Sequence, residues 1–273
     1  MTEFTGKTHN IAPTVRSKPC GAPPPGKLPE ITLTFWLVKM MSATCGQAAA
    51  DYLNIHWQLG LNPTLLLSGL LLIIALFYQM NATQYQAISY WATLSLVSIF
   101  STLTTDSLTD VWQLSPCISA PGFAGLLLII FITWYIREKT LAPELTDNPC
   151  RETCYWLAMF GSCSLGTLAG DGLANRLALS YDSTALFFGV WVAIVTVACF
   201  TFNANRVLCF WCACVLTRPF GEACSDLLLQ PKEEGGIGPG ESLISLVPVG
   251  SLFIMAGERV LQQWRYRSAK TVR

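Results

Sequence analysis

Four stretches of the chain align without a gap: FWLVKMMSATCGQAAAD, YWATLSLVSIFSTLTTD, YWLAMFGSCSLGTLAGD and FWCACVLTRPFGEACSD. Each opens on Phe or Tyr followed by Trp, at Trp36, Trp91, Trp156 and Trp211. Each closes on Asp, at Asp51, Asp106, Asp171 and Asp226, fifteen positions after its Trp. Leu stands two places further on every time, as Leu53, Leu108, Leu173 and Leu228. Such agreement marks an internal repeat, in which every unit must bury the same face against the same kind of neighbour. The intervals from Trp to Trp are 55, 65 and 55 residues, the pattern of a two-helix unit doubled and then doubled again.

What each unit consists of follows from hydropathy. Apolar stretches run over about 31–53, 62–80, 87–108, 118–136, 153–173, 183–202, 207–228 and 242–260. Several reach the ~20 residues that cross a bilayer core. PTLLLSGLLLIIALFYQM and TALFFGVWVAIVTVACF are apolar almost throughout, whereas the odd-numbered stretches carry Ser, Thr, Gly and Asp, and the last is interrupted by Pro248. Only 12% of the 273 residues are charged, against about 25% in soluble domains. The expected fold is therefore all-α: a polytopic membrane protein of eight transmembrane helices. They form four tandem two-helix repeats in a pseudo-four-fold, or doubled two-fold, arrangement. The units span 30–82, 83–138, 139–204 and 205–262, between a disordered proline-rich arm at 1–29 and a basic tail at 263–273. Each unit crosses an even number of times, so all four point the same way.

Lys and Arg set the expected orientation. Lys7, Arg16, Lys18 and Lys27 lie in the arm, Arg137, Lys139 and Arg151 after the fourth stretch, Arg206 before the seventh, and Arg259, Arg265, Arg267, Lys270 and Arg273 at the end. The other side has only Arg176 and Lys232. Both termini are expected in the cytoplasm and the chain in the inner (plasma) membrane, with the lipid bilayer as its main partner. The arm has no apolar core before a cleavage site, so no signal peptide is read there. A net charge of zero argues against a nucleic-acid partner. Nothing in the sequence fixes an oligomeric state.

At 100° per residue, positions 0, 4, 7, 11 and 15 from each Trp share one helix face. Position 11 holds Gln47, Thr102, Thr167 and Glu222, all with side-chain oxygen, and position 15 holds the four Asp. Position 10 holds Gly46, Ser101, Gly166 and Gly221, small residues that let membrane helices approach closely. The odd helices are thus expected to line an axis with two oxygen layers, while the even helices face lipid. Trp36, Trp91, Trp156 and Trp211 begin their helices where interfacial aromatics are common, need no ligand to explain them, and are read with the small residues as helix-packing positions.

With these residues the chain resembles the four-repeat bacterial membrane proteins whose two-helix repeat contains a tryptophan. KLPEITLTFWLVKMMSATCGQAAADYL and FWCACVLTRPFGEACSDLL carry the resemblance, which covers about 28–260. It implies eight helices and a bacterial membrane location, and it supplies no activity. It also implies an acidic residue where Gln47 stands here.

The chemistry rests on the carboxylates. An Asp at a helix C-terminus opposes the macrodipole by about 0.3–1 kcal/mol, and an unpaired one at bilayer depth costs about 2.5–3.5 kcal/mol. Four repeats of that choice point to a bound cation. Oxygen-only layers suit a hard ion such as Mn²⁺, Mg²⁺ or Ca²⁺, or else Na⁺ or a proton. The function expected is passage or binding of a small inorganic cation by a carrier, with Lys39 and Arg218 as gating or ion-pair residues. Arg218 lies four places before Glu222, the spacing of an ion pair. Pro219 either kinks its helix or packs it. The rival is a non-transporting scaffold or sensor, in which Asp, Arg and Lys form a structural network. An enzyme is not expected. The two histidines, His9 and His56, cannot supply a Ser-His-Asp set, and GTLAGD departs from the intramembrane aspartyl protease motif at Leu168. Cys209 and Cys212 form a Cys-x-x-Cys that could hold a soft metal, but most of the eleven cysteines read as small buried apolar residues.

Overall fold

A computed structural model describes residues 27–29, 31–51, 60–82, 85–143, 148–201, 204–229 and 236. The arm before Lys27, the eighth apolar stretch at 242–260, the tail at 263–273, His9, His56 and Lys232 lie outside the described residues. Seven helices are described: α1 Leu33–Asp51, α2 Leu61–Asn81, α3 Ala87–Asp106, α4 Pro116–Glu138, α5 Pro149–Leu177, α6 Tyr181–Thr201 and α7 Arg206–Leu229. A π-helical turn, Ser107–Val111, extends α3. No strand occurs among the described residues. Five helices are long and apolar enough to cross a membrane: α2, α3 with its π turn, α4, α6 and α7. The chain is a multi-pass membrane protein by this measure.

Local sequence explains the starts. Ser115 and Asn148 accept a hydrogen bond from the backbone N–H two residues on, and Pro116 and Pro149 occupy the first helical position, where no N–H is needed. Asn205 Oδ1 accepts from Val207 N at 3.0 Å and opens α7 the same way. Helices α4 and α5 stop on the left-handed residues Lys139 and Ala178.

The odd helices touch in cyclic order: α1 on α3, α3 on α5, α5 on α7, and α7 back on α1. The even helices stand outside, α2 against α3, α4 against α5 and α6 against α7. Each even helix therefore packs mainly on the odd helix that follows it. An odd helix spends its other faces on two ring neighbours. Exposed stripes Leu66, Leu70, Ile73 and Phe77 on α2, and Leu186, Val190, Ile194 and Val197 on α6, point outward. Water would penalise such stripes and lipid does not.

Small residues set the ring's closeness. A Cβ on Gly46 of α1 would lie 2.9 Å from Ser98 Cβ of α3. Ser101 of α3 meets Ser164 of α5 at 3.0 Å. A Cβ on Gly166 of α5 would lie 2.6 Å from the Val215 carbonyl and 2.7 Å from Arg218 Cβ of α7, and one on Gly221 of α7 would lie 3.1 Å from Ala43 Cβ of α1. The same repeat position thus meets the next helix at each of the four junctions.

Candidate functional site

The axis of the ring has three levels. At the level of the tryptophans, eight aromatic rings close a belt. Phe35 packs on Trp91 with centroids 5.6 Å apart, Tyr90 on Trp156 at 5.5 Å, Tyr155 on Trp211 at 6.0 Å, and Phe210 on Trp36 at 5.6 Å. Within each dipeptide the rings are T-shaped, for example 5.1 Å apart in Tyr90–Trp91 and 5.0 Å in Phe210–Trp211, the edge-to-face geometry that aromatic quadrupoles favour. Trp91, Trp156 and Trp211 are buried and Trp36 half-buried. Trp91, Trp156 and Trp211 lie in the core of the bundle, and Trp36 packs against it. Phe35, Tyr90, Tyr155 and Phe210 line a small cavity with room for about one water, roofed by Leu28, Pro29, Ile31 and Pro143. The Tyr90 and Tyr155 hydroxyls meet at 2.7 Å.

The middle level is polar. Arg218 is fully buried and reaches three helices. Its Nη1 donates to Ser98 Oγ and its Nη2 to Thr102 Oγ1, both on α3, and its Nε donates to Thr167 Oγ1 of α5 at 3.2 Å. Its Nη2 also lies 2.8 Å from Glu222 Oε1, one turn along α7. Thr167 donates to Glu222 Oε1 at 2.7 Å. Position 11 thus contributes Thr102, Thr167 and Glu222 to one network; the Gln47 side chain lies outside what is described. Lys39 is buried too, but donates only to the Cys214 carbonyl at 3.4 Å and Thr217 Oγ1 at 3.3 Å. Among the described residues no carboxylate lies within ion-pair distance of it. Pro219 does not interrupt α7, which is continuous through it. Its ring fills the notch at Gly170, where an added Cβ would lie 2.7 Å from Pro219 Cβ, so it serves packing.

The third level is acidic. Asp171 interacts electrostatically with Glu222, Asp106 and Asp226, and with Arg218. Carboxylates from α3, α5 and α7 therefore gather at one end of the axis. Asp171 is exposed there, while Asp106 and Asp226 are half-buried. Asp51 closes α1, and its side chain lies outside what is described. One premise is corrected. Asp171 is not in a last turn, because α5 continues to Leu177, and Asp106 leads into the π turn. Dipole repulsion falls off within the last turn, so the macrodipole bears on Asp226 and Asp51 but little on Asp171 and Asp106. Among the described residues no group of three metal-ligating side chains is already arranged around one point. Of the Cys-x-x-Cys pair, both on α7, Cys212 is exposed and Cys209 half-buried.

Sequence reasoning missed two features. Ser98 holds Arg218 but belongs to no conspicuous motif; only the reach of Arg218 across the ring from α7 to α3 reveals it. Glu152 is buried at the start of α5 and pairs with Lys27 at 2.8 Å, a contact 125 residues apart in sequence.

Residues 34–85 and 89–140 each match the family model described as Repeat of Unknown Function (DUF347). The two copies cover under half of the chain, and they coincide with the first two Trp-to-Asp units. No curated protein and no solved structure matches.

Proposed function

We propose that the chain is a carrier for a small cation, and not an enzyme, in the bacterial inner membrane with both termini cytoplasmic. In this reading the odd helices of four repeats surround the pathway and the stretch at 242–260 supplies the eighth helix. Asp51, Asp106, Asp171 and Asp226 form the mouth, backed by Gln47, Thr102, Thr167 and Glu222. Asp106, Asp171 and Asp226 hold one repeat position on α3, α5 and α7, which pack side by side, and that placement is the observation that carries the reading. Like charges so placed repel, and a hard cation such as Mn²⁺, Mg²⁺, Ca²⁺ or Na⁺ would reverse the sign of that interaction. A carrier fits better than an open channel, because Arg218 fills the axis and a fixed guanidinium excludes cations. An ion entering the mouth competes with Arg218 for Glu222, and exchange of that partner is the gating step.

The test is flux into proteoliposomes. Wild-type protein is expected to move one of these ions, and Asp171→Asn to fold and lose the flux. No flux of any of them, with Asp171→Asn merely less stable, would sink the proposal. That result would favour the rival, a scaffold or sensor held by the Arg218 network, which the buried bonds from Arg218 to α3 and α5 support.

A further inference from the structure

The opposite end of the bundle carries a second buried carboxylate with a different partner. Glu152 is 1% exposed, and its Oε2 lies 2.8 Å from Lys27 Nζ. The same ammonium donates to the Met80 carbonyl at 2.6 Å. Among the described residues Glu152 Oε1 has no hydrogen-bond partner, and neither do Gln79 Oε1 and Nε2, on the residue before Met80, or Trp156 Nε1, four residues after Glu152. All are buried. Unpaired polar atoms in such a place lose their hydration without replacement, and native structures keep few of them without a reason. One tethered ammonium satisfies one of the two carboxylate oxygens and leaves the rest of the cradle unmet.

We infer that Glu152 and the Met80 carbonyl form a binding site for a monovalent cation of ammonium size, and that Lys27 occupies it as a built-in substitute. The charge argues for valence: one carboxylate balances one positive charge. The Lys27 ammonium argues for size and donor geometry. The site is coupled to the axis, because the two residues after Lys27, Leu28 and Pro29, roof the cavity ringed by Phe35, Tyr90, Tyr155 and Phe210. The inference stands on different residues from the acidic mouth, so either can fail alone.

Chemical rescue tests it. Purified Lys27→Ala, Lys27→Gln and Lys27→Ala/Glu152→Gln are melted beside wild type in KCl, NH₄Cl, methylammonium chloride or choline chloride at one ionic strength. Breaking a buried pair from one side lowers the melting temperature by about 6 °C at least. In both single variants K⁺, NH₄⁺ or methylammonium is expected to restore about half of that loss or more, while choline, too large for the cradle, restores none. Wild type should be indifferent, and the double variant should show no ion preference. Lys27→Gln decides if Lys27→Ala does not fold. The inference fails if no monovalent ion stabilises the single variants, if choline matches the small ions, or if the preference survives Glu152→Gln. Loss of ion response in Asp171→Asn alone concerns the mouth and leaves this site untouched.

Discussion

Arg218 is the residue on which the interior turns. It is fully buried, and its guanidinium spends its donors on Ser98, Thr102, Thr167 and Glu222. Removing one side of such a pair leaves the other charge buried and uncompensated, at about 3–5 kcal/mol. Arg218→Met should therefore destabilise the purified protein strongly in a denaturation series. Arg218→Met with Glu222→Gln should recover most of the loss, because no charge is then stranded. Equal loss in the single and double variants would show that the hydroxyl bonds, not the ion pair, dominate. The i,i+4 spacing of Arg218 and Glu222 was readable in the sequence. That Ser98 and Thr102 complete the shell was not, since those contacts cross the ring from α7 to the opposite helix α3. Nor could spacing show that Lys39 meets a carbonyl and a hydroxyl in place of a carboxylate.

At the scale of the helix, position 10 of the repeat decides how closely neighbours approach. The four small residues there were legible because they recur at one offset. Their unequal tolerance was not legible, because it depends on what lies opposite. At Gly166 an added methyl would run into backbone, the Val215 carbonyl at 2.6 Å; at Gly221 the nearest atom is the Ala43 methyl at 3.1 Å. Overpacking of this kind costs about 1–3 kcal/mol. Gly166→Ala should fall at or beyond the upper end and Gly221→Ala near the lower, read as melting temperatures in detergent. The reverse order would mean that α5 and α7 are less tightly apposed than described. Helix extents were also legible within a turn, except at α5. There Gly170-Asp171-Gly172 looked like an ending but continues to Leu177, with Gly170 seating Pro219.

For the whole molecule, the claim is a closed ring of odd helices with an acidic mouth at one end and an aromatic belt at the other. The Phe/Tyr-Trp dipeptides were visible in all four units, yet their meaning was not. Only closure of the ring turns four local pairs into one belt, in which each Phe or Tyr stacks on the next unit's Trp. The strap at Lys27–Pro29 was equally hidden, because a contact between Lys27 and Glu152 has no local signature. Closure predicts cross-links in a cysteine-free background. Thr44→Cys with Ser225→Cys should join α1 to α7, where Ser225 Oγ donates to the Thr44 carbonyl at 3.4 Å. Ser101→Cys with Ser164→Cys should join α3 to α5, and Thr44→Cys with Ser164→Cys, on helices without direct packing, should not link. The most direct test of the central claim is a thermal-shift series on purified protein with Mn²⁺, Mg²⁺, Ca²⁺ and Na⁺, wild type beside Asp171→Asn. Ligand binding only the folded state adds about 2.7 kcal/mol at a hundredfold excess over its dissociation constant. The account predicts stabilisation by one of these ions that Asp171→Asn abolishes. Indifference of wild type to all of them would contradict it.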